Sequence, residues 1–128
     1  MTGPGARIKR ILIVDDEPAI CDFCRRVLTK EGFEADTASN GKVAQGAIKR
    51  KQYDLCLLDV KMPEMDGRQL YLWMKQEGLE LATRVVFTSG SALVEHTQAF
   101  LKESGRPFLP KPFTISELVT MVKEVLKH

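Results

Sequence analysis

Three short apolar runs along the chain end in charged side chains at positions that a folded sheet would bring together. Residues 11–14 precede Asp15 and Asp16, residues 55–58 precede Asp59, and residues 108–110 precede Lys111. Uninterrupted apolar runs of this length are typical of buried strands in a parallel sheet. Ligands bind at the carboxyl ends of such strands. The pattern therefore predicts carboxylates and a lysine converging on a site suited to a divalent cation and a phosphoryl group.

Strand and helix patterns alternate five times, which predicts an α/β fold. Strands are predicted over residues 10–14, 33–37, 53–58, 84–87 and 107–109; helices are predicted from Pro18 to Gly32, from Asn40 to about residue 51, over 66–77, over about 92–103, and after a capping box at Thr114 and Glu117. Short connections predict a doubly wound, five-stranded parallel sheet with helices on both faces. The site requires strands one and three to be neighbours, which favours the flavodoxin-like order 2-1-3-4-5.

The last strand and the last helix are predicted to form one side of the domain. Pro110 places the last strand at a sheet edge, because proline cannot donate to a strand ladder. The final helix is expected to pack one apolar stripe against the sheet, comprising Ile115, Leu118, Val119, Val122 and Leu126. Met121 and Val125 are expected to lie off that stripe, beside the edge strand that bears Phe108.

Composition narrows the class of protein. The 128 residues suffice for one domain, and the formal charge of +2 includes no basic run that predicts nucleic-acid contact. The first residues lack a secretory signal and no apolar stretch could span a membrane, so a soluble, cytoplasmic protein is expected. We expect residues 1–7 to be a flexible N-terminal tail and residues 8–128 to form the domain.

The three cysteines are expected to be buried and free. Cys21 and Cys24 form a C-x-x-C, but it lies inside the first helix and lacks the Gly-Pro of thioredoxin-like motifs. Cys56 and the two histidines are not at zinc-ligand spacing. An odd number of cysteines also favours a reducing compartment.

The chemistry of the predicted site follows from its residue types. A carboxylate is a competent nucleophile toward phosphorus, which makes Asp59 the candidate phosphoryl acceptor. Asp16 and Asp59 are the candidate Mg²⁺ ligands, with Asp15 assisting directly or through water, and the Lys61 backbone carbonyl could join them. Mn²⁺ could replace Mg²⁺. No other cofactor is predicted.

Two further groups would contact the phosphoryl oxygens. Lys111 supplies a positive charge and Thr88 a hydroxyl donor. Taken singly, these residues have plainer interpretations: Asp16 as a helix cap, Thr88 in a local hydrogen bond, Lys111 on the surface and Phe108 in the core. Their coincidence at four strand ends favours the site.

This signature resembles that of the receiver domains of two-component response regulators. The resemblance rests on Asp15-Asp16, on Asp59 within residues 59–67, on Thr88-Ser89 and on Lys111-Pro112, and it spans about residues 8–127. It implies that Asp59 is the phosphoacceptor and that Lys111 senses the phosphate. It also implies a cis Lys111–Pro112 bond and a switch pair formed by Thr88 and Phe108. Phe108 keeps the aromatic ring but lacks the hydroxyl of the tyrosine frequent in the family.

The resemblance also implies partners and a mode of action. The phosphoryl donor would be a histidine kinase or a histidine phosphotransfer protein. The domain would be a switch, not an enzyme, that assists its own phosphorylation and dephosphorylation. The change would reach the face formed by the fourth helix, the last strand and the final helix, where a partner or a second copy would bind. The positive charge departs from the acidic balance frequent in the family and leaves the partner open.

Alternative classes fit the residues less well. A haloacid-dehalogenase-type phosphatase would need a D-x-D pattern after the first strand, where this chain has Asp15, Asp16 and Glu17. A flavodoxin-type cofactor binder would need a Ser/Thr/Gly-rich phosphate loop at the same place. A receiver reduced to a docking module would lack Asp59 or Lys111. Whether the chain acts alone or belongs to a longer regulator or hybrid kinase stays open.

Overall fold

A computed structural model describes residues 7–62, 64–90 and 95–127. Five strands alternate with five helices, as the sequence predicts. The elements in chain order are β1 (Arg10–Val14), α1 (Pro18–Lys30), β2 (Glu34–Ala38), α2 (Gly41–Arg50), β3 (Leu55–Asp59), α3 (Gly67–Gln76), a short 3₁₀ helix (Glu80–Arg84), β4 (Val85–Ser89), α4 (Glu95–Ser104), β5 (Phe108–Pro110) and α5 (Ile115–Leu126). The predicted start of the fourth helix near residue 92 and residues 1–6 of the expected tail lie outside the described residues.

The five strands form one parallel sheet in the order β2-β1-β3-β4-β5, which confirms the predicted topology. Strand β3 lies at the centre between β1 and β4. Its carboxyl end therefore meets the carboxyl ends of both neighbours. Strand β5 is the edge that Pro110 predicted.

Alternate residues of each strand pack on opposite faces of the sheet, so the core has two layers. One layer packs strand residues such as Leu58 and Phe87 against α2, α3 and α4. The other packs residues such as Ile13 and Leu57 against α1 and α5. The two layers explain why the strands read as continuous apolar runs, because both of their faces are covered.

The final helix turns part of the predicted stripe toward the sheet, including Leu118 and Val122, but the predicted stripe was wrong at two positions. Leu118, Val122 and Val125 are its buried residues, at i, i+4 and i+7 spacing, so placing Val125 off the stripe was wrong. Ile115 was expected to pack, but it lies in the first helical turn with 56% of its surface exposed. Met121 is half-buried and lines a groove with Phe108, as expected.

The cysteines are buried and free. Burial, followed by the charge of Asp15, raises the pKa of Cys21 to about 11 and that of Cys24 to about 12. Both thiols therefore stay protonated at neutral pH, whereas nucleophilic attack and metal binding need the thiolate. None of the described helices combines the length and the apolar character that a membrane crossing requires.

Candidate functional site

Asp59 is the last residue of the central strand and only 4% of its surface is exposed. One further backbone hydrogen bond to β4 follows the end of the strand: the N–H of Val60 donates to the carbonyl of Thr88 at 2.9 Å. The loop then closes through a hydrogen bond from the Gly67 N–H to the Val60 carbonyl at 3.0 Å. A Cβ atom at Gly67 would lie 2.2 Å from the Asp59 carbonyl oxygen, so only glycine lets α3 begin this close to the strand end.

Lys111 reaches the same point from the end of β5. Its backbone N–H donates to the Ser89 carbonyl at 3.1 Å, and its bond to Pro112 is cis, which confirms the prediction made from the resemblance. The Lys111 ammonium lies 2.8 Å from Asp15 Oδ2, 3.0 Å from Glu17 Oε1 and 3.3 Å from Asp59 Oδ2. One lysine therefore bridges three carboxylates at the carboxyl end of the sheet.

The electrostatics of the site follow from its burial. Burial, followed by the neighbouring charge of Asp15, raises the pKa of Asp59 to about 6, against the opposing effects of Lys111 and the Lys61 N–H. Burial alone would lower the pKa of Lys111, but hydrogen bonds to Asp15 and Glu17 and the charge of Asp59 raise it above its ordinary value. The site therefore holds a charged lysine among carboxylates that repel one another.

Four of the predicted site residues, Asp16, Asp59, Lys61 and Lys111, line one open depression. Its lining contains Asp16, Glu17, Asp59, Lys61, Ser89, Gly90 and Lys111. Asp15 is buried beside this depression: its Oδ1 accepts from the Glu17 N–H at 2.8 Å, and its Oδ2 lies 2.8 Å from the Lys111 ammonium. The Lys61 N–H, two residues past the strand, donates to Asp59 Oδ1 at 3.3 Å.

Glu17 is the residue that the sequence prediction missed. Oxygen atoms of Asp15, Glu17 and Asp59 lie within 4.8 Å of one another, and this is the group of potential metal ligands among the described residues. Asp16, predicted as a direct ligand, is exposed at the rim of the depression. The only signal for Glu17 was its position directly after the aspartate pair. Carboxylate oxygens are the donors that Mg²⁺ prefers, so the residues present fit that cation.

Thr88 lies on β4, the strand next to that of Asp59, and Phe108 lies on the edge strand β5 beyond it. Thr88 is paired in register with Asp59 and is buried. Phe108, on the edge strand, is paired in register with Phe87 of β4 and is half-buried. Phe87 packs edge-to-face against Phe100 of α4, with ring centroids 5.3 Å apart. A chain of packed residues thus connects the strand next to Asp59 with α4 and β5.

The sheet order, the acidic strand ends and the lysine are matched by a known family. The family model for the response regulator receiver domain matches residues 11–123. The chain belongs to this family, and its class is therefore that of the signalling switches of two-component systems.

Individual relatives are consistent with this assignment. The chain is 35% identical over 121 residues to the transcriptional regulatory protein PcoR of Escherichia coli, covering 94% of this chain and 53% of PcoR. The chain thus spans about half the length of that relative. Among solved structures, it resembles the chemotaxis response regulator CheY4 of Vibrio cholerae, with a TM-score of 0.83 and 25% identity over 93% of this chain and 99% of that one. The response regulator TrrA of Thermotoga maritima, solved in complex with Mg²⁺ and BeF, gives a TM-score of 0.78 and 30% identity over 92% of this chain and 99% of that one.

Proposed function

We propose that Asp59 accepts a phosphoryl group from a phosphohistidine of a histidine kinase or a histidine phosphotransfer protein. The observation that carries the proposal is the buried Asp59 carboxylate at the end of the central strand, 3.3 Å from the Lys111 ammonium. An oxygen of Asp59 attacks phosphorus, the new P–O bond forms as the P–N bond breaks, and the imidazole leaves with the electron pair and takes up a proton. Attack by water on phosphorus later yields inorganic phosphate and restores the carboxylate.

The chain's own residues position the reacting groups. Lys111 donates to the phosphoryl oxygens as they approach Asp59, and the Lys61 N–H, which donates to Asp59 Oδ1, holds the carboxylate in place. Asp15, Asp16, Asp59 and the Lys61 carbonyl are the proposed cation ligands, and two of them, Asp15 and Asp59, belong to the acidic group described above. A bound Mg²⁺ would neutralise these carboxylates and accept phosphoryl oxygens, which lets an anionic donor approach. By these means the domain assists both its own phosphorylation and its own dephosphorylation.

The signal is proposed to leave through the face formed by α4, β5 and α5. Thr88 would move toward the phosphoryl group, and the half-buried Phe108 would turn inward behind it. This movement would reshape the groove that Phe108 lines together with Met121 and Glu117. Such a switch requires two arrangements that differ by a few kcal/mol, between which phosphorylation chooses. A partner protein or a second copy of the chain would bind this face.

Intact-mass measurement after incubation with acetyl phosphate and Mg²⁺ tests the acceptor assignment. We expect one phosphoryl adduct, and we expect its loss in Asp59→Asn and in the presence of a chelator. Asp66→Asn is the matched control. Asp66 lies in the same loop and is the N-cap of α3, where its side chain accepts from the Gln69 N–H. Asparagine is an equally good N-cap residue, so this variant should keep the helix. A full-strength adduct in Asp59→Asn would refute the assignment.

Backbone amide NMR with beryllofluoride and Mg²⁺ tests the route of the signal. Shift changes should extend from the strand ends to the described part of α4, to β5 and to α5. If the changes stay at the strand ends and residues 95–126 do not move apart from Lys111, that route is wrong even where phosphorylation of Asp59 stands.

A further inference from the structure

Glu17 occupies the N-cap position of α1 but does not cap the helix. Its backbone is extended, and its side chain makes no capping hydrogen bond. The carboxylate instead accepts from the Lys111 ammonium at 3.0 Å, across 94 residues of sequence. The Glu17 side chain is 59% exposed, whereas those of Asp15 and Asp59 are 3% and 6% exposed. Of the three carboxylates that hold Lys111, one therefore faces water.

The three contacts use the full donor capacity of Lys111. A lysine ammonium has three N–H donors and no acceptor, and Asp15, Glu17 and Asp59 are its three partners. The donor that Lys111 gives to Asp59 can pass to a phosphoryl group formed there, but a second contact to the phosphoryl oxygens requires Asp15 or Glu17 to give up its own donor. Releasing Asp15 would leave a buried charge unpaired, which is costly. Releasing Glu17 is cheap, because water replaces the lost contact at an exposed carboxylate.

We propose that Glu17 is a positioning residue that holds the third donor of Lys111 until the phosphoryl group takes it. This inference rests on the proposed phosphoacceptor function of Asp59 and adds a regulatory step at the same site. Glu17 draws Lys111 toward the rim in the resting state and competes with the phosphoryl oxygens for it. The contact therefore sets how readily the unphosphorylated domain accepts the phosphoryl group.

Removing the contact should strengthen the binding of a phosphoryl mimic. Exposed ion pairs contribute about 0.2–1 kcal/mol, so we expect beryllofluoride to bind about 1.4- to fivefold more tightly to Glu17→Gln at saturating Mg²⁺. Glu17→Asp keeps the negative charge but shortens the side chain by one methylene, which takes the carboxylate out of hydrogen-bond reach of Lys111. It should bind beryllofluoride more tightly as well. Asp22→Asn is the matched control, because Asp22 is a carboxylate of α1 that pairs with Arg25 and Arg26 instead.

Two measurements together test the inference: calorimetric titration with beryllofluoride at saturating Mg²⁺, and the side-chain ¹⁵N resonance of Lys111. In the free proteins we expect the Lys111 resonance to move in both Glu17 variants and not in Asp22→Asn. In the beryllofluoride complexes we expect the resonances of all four proteins to coincide, because Glu17 no longer contacts Lys111. A merely structural role for Glu17 would not produce this convergence.

Several results would overturn the inference. Unchanged affinity in both Glu17 variants would show that the contact does not compete. Weaker binding would make Glu17 a supporter of the bound state, for example through the cation. Tighter binding in Glu17→Gln with wild-type affinity in Glu17→Asp would leave only a long-range charge effect. If the wild-type chain binds no beryllofluoride, the phosphoacceptor proposal fails and this inference fails with it. If the wild-type chain binds beryllofluoride but the Glu17 variants do not bind it more tightly, only this inference fails.

Discussion

Replacing the phosphoacceptor carboxylate should make the domain more stable. Burial and the charge of Asp15 raise the pKa of Asp59 from an ordinary value of 3.8 to about 6, so the folded state disfavours the ionised carboxylate. This difference corresponds to about 3 kcal/mol. The favourable contribution of a protonated Asp59 is complete below pH 3.8 and is lost as the pH rises through about 6. Asp59→Asn stays neutral throughout, so at pH 8 without divalent cations we expect it to be about 2–3 kcal/mol more stable than the wild-type chain.

Urea unfolding of both proteins in a chelating buffer at pH 8, 6 and 4 measures this effect. The difference in the free energy of unfolding should be largest at pH 8, should fall through pH 6 and should nearly vanish at pH 4. Mg²⁺ should narrow it at pH 8, because binding to the wild-type folded state stabilises that state. Asp66→Asn should stay within about 0.5 kcal/mol of the wild-type chain. Equal or lower stability of Asp59→Asn at pH 8 would refute the reasoning that burial and repulsion dominate this site.

Two further predictions concern the backbone around the site and the opposite end of the sheet. Gly67→Ala should lower the free energy of unfolding by about 1–3 kcal/mol and reduce the phosphoryl adduct, because the added Cβ would collide with the Asp59 carbonyl. Gly46→Ala is the control, since its Cβ would meet only the flexible end of Arg50, and it should leave both quantities unchanged. Urea unfolding and intact-mass measurement check the two variants. Asp54→Asn should cost about 2 kcal/mol at pH 7, measured by the same unfolding assay, since Asp54 accepts hydrogen bonds from Arg7 and from the Arg10 N–H. Burial raises the pKa of Asp54, but these bonds outweigh it and leave the pKa below its ordinary value of 3.8, so the cost should shrink as the pH falls below that value. A cost that is the same at pH 5 and at pH 2 would contradict this.

The elements that sequence reasoning predicted well are those with a strong local pattern. The alternation of apolar runs and helical stripes predicted all five strands, and the requirement that strands one and three be neighbours at the site predicted the order of the sheet. The boundaries of β2, β3, β4 and β5 lie one or two residues later than predicted. Pairing with the neighbouring strand decides where a strand begins and ends, and the sequence of one strand does not contain that information. The short 3₁₀ helix before β4 carried no periodic signal and was missed.

The site shows the same division between local and distant information. Asp15, Asp59 and Lys111 were placed together correctly because each follows an apolar run, and parallel strands end at one edge. Glu17 was missed because its pattern is that of a residue at a helix start, while its partner lies in another loop. Asp54 was not singled out either, because the prediction placed it inside the third strand, whereas β3 begins after it at Leu55. Its burial and its pairing with Arg7 arise only when the chain is folded.

The two ends of the sheet have opposite kinds of contacts, and this separates stability from switching. At the amino end, arginine side chains hold the backbone: Arg84 donates to the Asp54 carbonyl at 2.7 Å, and Arg106 donates to the Val85 carbonyl at 3.0 Å. At the carboxyl end, Lys111 is shared among carboxylates that repel one another, and its exposed partner Glu17 can be released at small cost. A switch needs near-equal alternatives at one place and firm structure elsewhere. Substitutions at the amino end should therefore change the free energy of unfolding and leave phosphorylation of the folded domain intact, whereas Asp59→Asn should raise stability while it abolishes phosphorylation.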